Sequence, residues 1–144
     1  MLRALARRKG PLALIHFDAH VDTWPDNFGQ PYSHGSVFYH AIEERLIDPR
    51  RMIQIGIRSP VQREVFDWTL ARGVTIITAE EVHEQGPKAA VARVHSIVGE
   101  APCYLENFSF FKKRPLSDIQ SRWLMSCLQC HAYNIKADKS AMQK

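Results

Sequence analysis

The amino-acid sequence predicts an α/β protein with a mostly parallel sheet, and three observations carry that expectation. Short runs apolar at every position recur along the chain, helix-period segments separate them, and cap or turn residues stand at the junctions. A strand apolar on both faces suits a parallel sheet covered by helices on either side. The runs fall at residues 12–17, 52–57 and 74–78, with a weaker one at 103–105. Strand, helix, strand, helix in that order implies right-handed βαβ units.

In chain order, Leu2, Leu5 and Ala6 set against Arg3, Arg7 and Arg8 predict an N-terminal helix with a charged outer face. The first strand follows at 12–17. Residues 36–46 predict a second helix, ended by Asp48-Pro49 because the residue before a proline is pushed out of the helical region. The second strand follows at 52–57. Ser59-Pro60-Val61-Gln62 supplies an N-cap serine, a proline at the first helical position and a glutamine three residues on, and Gly73 stands where a left-handed cap closes the segment. Thr78 and Glu81 repeat the capping-box pattern after the third strand. Pro87 and Gly99 bracket Ala90, Val91, Val94, Ile97 and Val98, which share one helical face. Trp24 and Trp68 read as core or loop anchors.

Composition narrows the function classes. With 144 residues, 45% hydrophobic and 24% charged, the chain is an ordinary globular mixture of single-domain size. A formal charge of +4 is too slight to point to nucleic acid, and Lys112-Lys113-Arg114 beside Phe108, Phe110 and Phe111 reads as a solvated cluster next to a hydrophobic contact. No apolar run approaches the ~20 residues of a bilayer span, and the arginine-rich start lacks the apolar region of a secretory signal. A cytoplasmic protein with no membrane or nucleic-acid partner is the expectation. Three cysteines, an odd number without framework spacing, predict reduced thiols. Cys127-Leu128-Gln129-Cys130-His131 has the form of a haem-attachment motif, but such attachment belongs to exported proteins. Ile119, Trp123 and Cys127, with Leu124 and Leu128 beside them, instead predict an amphipathic helix.

The chemistry concentrates in Asp18-Ala19-His20-Val21-Asp22, just past the first strand. If the chain stays extended there, residues at i, i+2 and i+4 project to one side at steps of roughly 7 Å. Two carboxylates and an imidazole then face one space, a donor mixture suited to Mn²⁺, Mg²⁺, Zn²⁺ or Fe²⁺. In open α/β sheets the ligand crevice lies beyond the carboxyl ends of strands, where this segment falls. By spacing alone, a polar turn in which Asp18 caps a neighbour is an equal alternative.

Asp18-Ala19-His20-Val21-Asp22, then Ser33-His34-Gly35, then Ile55-Gly56-Ile57-Arg58-Ser59 occur in order, and together they resemble the arginase and agmatinase (ureohydrolase) family, in particular its agmatinase branch. The likeness runs from about Leu2 to Leu105. It implies a partial three-layer arginase-like fold, with residues 1–106 as an incomplete ureohydrolase domain and residues 107–144 as a non-homologous, helical tail. It also implies a binuclear manganese site that hydrolyses a small guanidino substrate, agmatine or similar, to urea and an amine. Carried over position by position, Asp18 bridges the two Mn²⁺ ions, His20 and Asp22 each hold one, and His34 is the catalytic histidine that helps with proton transfer.

Guanidinium is a delocalised, permanently protonated and therefore poor electrophile. Paired metals answer that difficulty by making hydroxide available near neutral pH and stabilising the charge that develops on attack. An imidazole, with an ordinary pKa near 6.5, suits proton delivery to the departing amine.

The resemblance also has departures. The family takes a further metal histidine from a Gly-Gly-Asp-His segment, which would lie before Met1, and two aspartates from positions that Phe108 and Phe110 occupy here. Aromatic rings cannot ligate Mn²⁺. The expectation is therefore an internal piece of a longer enzyme, impaired or inactive by itself. The alternative is a catalytically silent interaction module that forms a homo-oligomer or joins a related subunit through a sheet edge.

Overall fold

The computed structural model describes residues 1–26 and 28–107. The haem-like motif, Phe108, Phe110 and the predicted tail helix lie outside the described residues. Helix α1 (Leu2–Lys9) leads into strand β1 (Leu12–Phe17), and a long loop with a 3₁₀ turn at His34–Ser36 precedes α2 (Val37–Glu43). Then come β2 (Ile47–Ile57), α3 (Arg63–Ala71), β3 (Thr75–Thr78), α4 (Ala79–Val98) and β4 (Cys103–Asn107). The four strands form one sheet in the order β3-β2-β1-β4, parallel at every pairing. The α/β class with a parallel sheet is as the apolar runs predict.

β1 is central and buried along its whole length, as a strand covered on both faces must be. Its alternating side chains divide the core in two. Ala13, Ile15 and Phe17 join Ile53, Ile55 and Ile77 under α4, which contributes Ala90, Val91, Val94 and Val98. Leu14 and Met52 face the other way, onto Phe38, Ala41 and Ile42 of α2, with Leu2 of α1 packed at the edge. Leu14, Met52 and Ile53 have no solvent exposure, so shortening any of them to alanine removes about 2–5 kcal/mol.

Several boundaries differ from the sequence expectation for physical reasons. α3 begins at Arg63 rather than near Pro60. The backbone N–H groups of Arg58 and Ser59 both donate to Ala19 O, at 3.0 and 2.9 Å, which draws the segment across the end of β1 before the helix can start. β2 begins at Ile47, five residues before its apolar run, and its ladder with β1 is irregular between Leu12 and Leu14, where Pro49 is tolerated. The 79–98 helix is broken at Gly86 (φ 79°, ψ 165°), so Pro87 opens a second helical segment as its position suggested. Thr78 and Glu81 form the capping box reciprocally, at 3.1 and 2.8 Å.

Candidate metal centre

The site is built where β1 ends. Phe17 is the last paired residue, between Ile55 and Asn107. The loop beyond it is anchored by Asp18 N–H donating to Ile55 O at 3.3 Å and by the two bonds onto Ala19 O. Even positions of β1 face α2, so His16 and then Asp18 emerge on that side.

Extended alternation stops at Phe17: the chain bends from Asp18 to His20, with Asp18 Oδ1 accepting the His20 N–H, the polar turn that spacing alone left open. Asp22 turns back through a left-handed backbone conformation (φ 51°), and its carbonyl accepts the Phe38 N–H at 3.0 Å, capping the first turn of α2. Thr69 Oγ1 donates to Val65 O at 2.8 Å, leaving the Thr23 hydroxyl to donate across 2.6 Å to Thr69 and pin the loop to α3.

The result is a cavity of about 1110 Å³ whose wall includes Asp18, His20, Asp22, His34 and Glu106. All four sequence-predicted site residues line it. Asp18 is the hub: its Oδ1 accepts the His20 backbone N–H at 3.0 Å and lies 3.1 Å from His20 Nδ1, while its Oδ2 lies 3.9 Å from His16 Nε2. His20 is otherwise exposed toward solvent. His34 follows Ser33 in the 3₁₀ turn, where the Ser36 hydroxyl accepts the Ser33 N–H at 2.9 Å and reaches Pro31 O at 2.7 Å, fixing the turn against the cavity. His40 of α2 also bonds Pro31 O through Nε2, so the same carbonyl ties the turn to the helix.

Burial drives the electrostatics. His16 is pushed down to about 4 by desolvation, against which the Asp18 charge works. Asp22 is raised to about 6, chiefly by burial and next by the Asp18 charge, with Glu106 adding in the same direction.

One potential donor atom each from His16, Asp18 and Asp22 lies within 4.8 Å of the others. The two carboxylates, with the His20 imidazole on the same wall, fit a divalent cation that favours oxygen and nitrogen, and fit a thiolate-loving one poorly. The one described cysteine, Cys103, is buried in β4, and burial raises its thiol to about 12. Sequence reasoning missed His16 as part of the site. A polar residue inside a run otherwise apolar on both faces was the available signal.

A parallel sheet carrying an acidic, histidine-lined crevice at the carboxyl end of its central strand defines an α/β protein of the kind that binds its ligand beyond the strand ends. Residues 1–106 match the model of the Arginase family, and the chain belongs to that family. Proclavaminate amidinohydrolase of Streptomyces clavuligerus is 43% identical over 105 residues, which are 72% of this chain and 34% of that protein. An agmatinase of Chromobacterium violaceum is 42% identical over 106 residues, 73% of this chain and 31% of the relative. The solved structure of the Streptomyces enzyme superposes with a TM-score of 0.66 over 72% of this chain and 34% of its own. The chain therefore spans about a third of the length of the curated relatives it matches. Among the described residues no helix is long and apolar enough to cross a membrane.

Proposed function

We propose that this chain carries part of an agmatinase-type hydrolase centre, converting a guanidino compound such as agmatine to urea and an amine with manganese. The observation that supports this most is the convergence of Asp18 and Asp22 on one cavity that His20 and His34 also line. Asp18, with Oδ1 beside His20, would be the ligand shared between the two ions. Asp22 and His20 are the further ligands. Manganese, when bound, supplies an activated water and charge stabilisation. Asp18, Asp22 and Glu106 give the cavity an acidic lining that attracts a guanidinium cation. His34, on the same wall, is the residue to hand a proton to the leaving amine. The reaction would belong to polyamine metabolism in the cytoplasm.

Activity of this chain alone is proposed to be low, since Phe108 and Phe110 occupy, in the sequence, the positions where the family resemblance expects aspartates. Urea release from agmatine with added Mn²⁺ tests the reading: activity lost in Asp18→Ala supports it, and none at any Mn²⁺ concentration contradicts a catalytic role for this polypeptide.

A second reading is favoured by one observation. Among the described residues, β4 pairs with β1 alone, and a strand edge of that kind can take a further strand. A silent module that self-associates or joins a related subunit through that edge would give no urea yet co-elute with an agmatinase subunit.

A further inference from the structure

His16 lies within reach of both aspartates, and its hydrogen bonding decides what it can offer them. Gln54 is its lateral neighbour across the β1–β2 ladder and is fully buried. The Gln54 side-chain Nε2 sits 2.6 Å from Val21 O and 3.2 Å from His16 Nδ1. A backbone carbonyl only accepts, so the atom facing it is the amide nitrogen, because exchanging the amide's two ends would press two acceptors together at 2.6 Å. The same nitrogen then donates its second N–H to His16 Nδ1, which must present a lone pair. An imidazole whose Nδ1 accepts carries its proton on Nε2, and Nε2 is the atom that faces Asp18 Oδ2 at 3.9 Å. That distance exceeds a hydrogen bond and is an electrostatic contact. The Phe38 ring, edge-on with centroids 4.5 Å apart, packs against the imidazole.

From this arrangement we propose that His16 is a positioning residue and not a metal ligand: Gln54 sets its tautomer, so that an N–H, with no lone pair, is directed at Asp18. The Gln54 amide does this while holding Val21 O, one residue before Asp22, so one buried side chain braces the approaches to both carboxylates. The role assigned to Asp18 here rests on the manganese reading above, whereas the tautomer does not. Partners of this outer kind are typically worth 10–100-fold in metal affinity.

Long-range ¹H–¹⁵N spectra of the labelled full chain at neutral pH test the proposal, with the His16 ring identified by its contacts to Phe38. The expected result is an Nε2–H tautomer without metal, retained when Zn²⁺ is added to saturation. An Nδ1–H or doubly protonated ring without metal would overturn the proposal, and so would loss of the Nε2 proton on Zn²⁺ addition. Zn²⁺ that leaves the Asp18 and Asp22 signals unmoved would count against the metal reading, while an Nε2–H ring in that sample still supports the assigned tautomer. In Gln54→Glu, the oxygen that replaces Nε2 faces both His16 Nδ1 and Val21 O, so the ring should switch to Nδ1–H, the brace on Val21 should be lost, and Zn²⁺ binding should weaken tenfold or more. A switched ring with unchanged affinity would overturn the positioning role. If that variant does not fold, the spectra of the unaltered chain decide the question by themselves.

Discussion

Asp22 and His16 pull the stability of the metal-free chain in opposite directions as pH changes. Asp22 keeps its proton up to about pH 6 when folded but loses it near 3.8 when unfolded, so the folded state binds more protons between these values. Stability from this group is therefore present below about pH 4 and is lost as pH rises through 6. His16 behaves the other way: unfolded it takes a proton below about 6.5, folded only below about 4. Its contribution, on the order of 2–3 kcal/mol, is complete above pH 6.5 and lost as pH falls toward 4. Solvent reaching the half-buried Asp22 screens its effect to about 1–2 kcal/mol. Asp22→Asn should accordingly raise the metal-free Tm at pH 7, leave it unchanged near pH 4, and expose the monotonic His16 rise between. An equal shift in Tm at both pH values would contradict this. Divalent-metal affinity should fall by up to tenfold per pH unit below pH 6, because Asp22 must release its proton to ligate; isothermal titration at pH 5, 6 and 7 checks it.

At the scale of elements, caps and close approaches hold the site's supports in place. Removing the Thr78 hydroxyl in Thr78→Ala leaves an unpaired N–H at the start of α4 and should lower stability by about 1 kcal/mol in denaturant melts, with metal binding unaffected. Gly56 is different: it lies at φ +91° in β2, and a Cβ there would stand 3.4 Å from the Asp18 carbonyl. Gly56→Ala should therefore cost about 1–3 kcal/mol of backbone strain at its own positive φ, and should weaken metal binding if β2 relaxes by moving against the neighbouring Asp18 carbonyl. Equal metal affinity in that variant would show that β2 does not shape the loop. The strands were legible in the sequence because burial on both faces demands unbroken apolar runs, as at residues 12–17. The start of α3 was not, because Ser59 and Pro60 look like a helix entry until Ala19 O takes the Arg58 and Ser59 N–H groups. Extended alternation was the wrong route from Asp18 onward, since the chain bends where Asp18 Oδ1 accepts the His20 N–H and then turns back at Asp22 through a left-handed conformation that no neighbouring residue type announces. His16 and Gln54 were hidden for a related reason: each is a buried polar side chain whose hydrogen-bond partners are distant in sequence.

Over the whole molecule, the sheet places α4 on one side and α1 with α2 on the other, and the crevice opens where the central strand gives out. The arginase-family match covers the described fold almost completely, while the chain spans about a third of its relatives' length. The strands at both edges of the described sheet, β3 and β4, each pair with a single neighbour. Size-exclusion chromatography of the full chain should therefore show self-association, weakened by a lysine or proline placed in β4; a concentration-independent monomer would contradict it. If Asp18 and Asp22 hold a divalent cation between them, Mn²⁺ titration followed by the EPR signal of free Mn²⁺ reports it without relying on catalysis. Saturable binding by the full chain that is lost in Asp18→Ala and in Asp22→Ala is the predicted result. Binding that is absent, or that survives both substitutions unchanged, would contradict it.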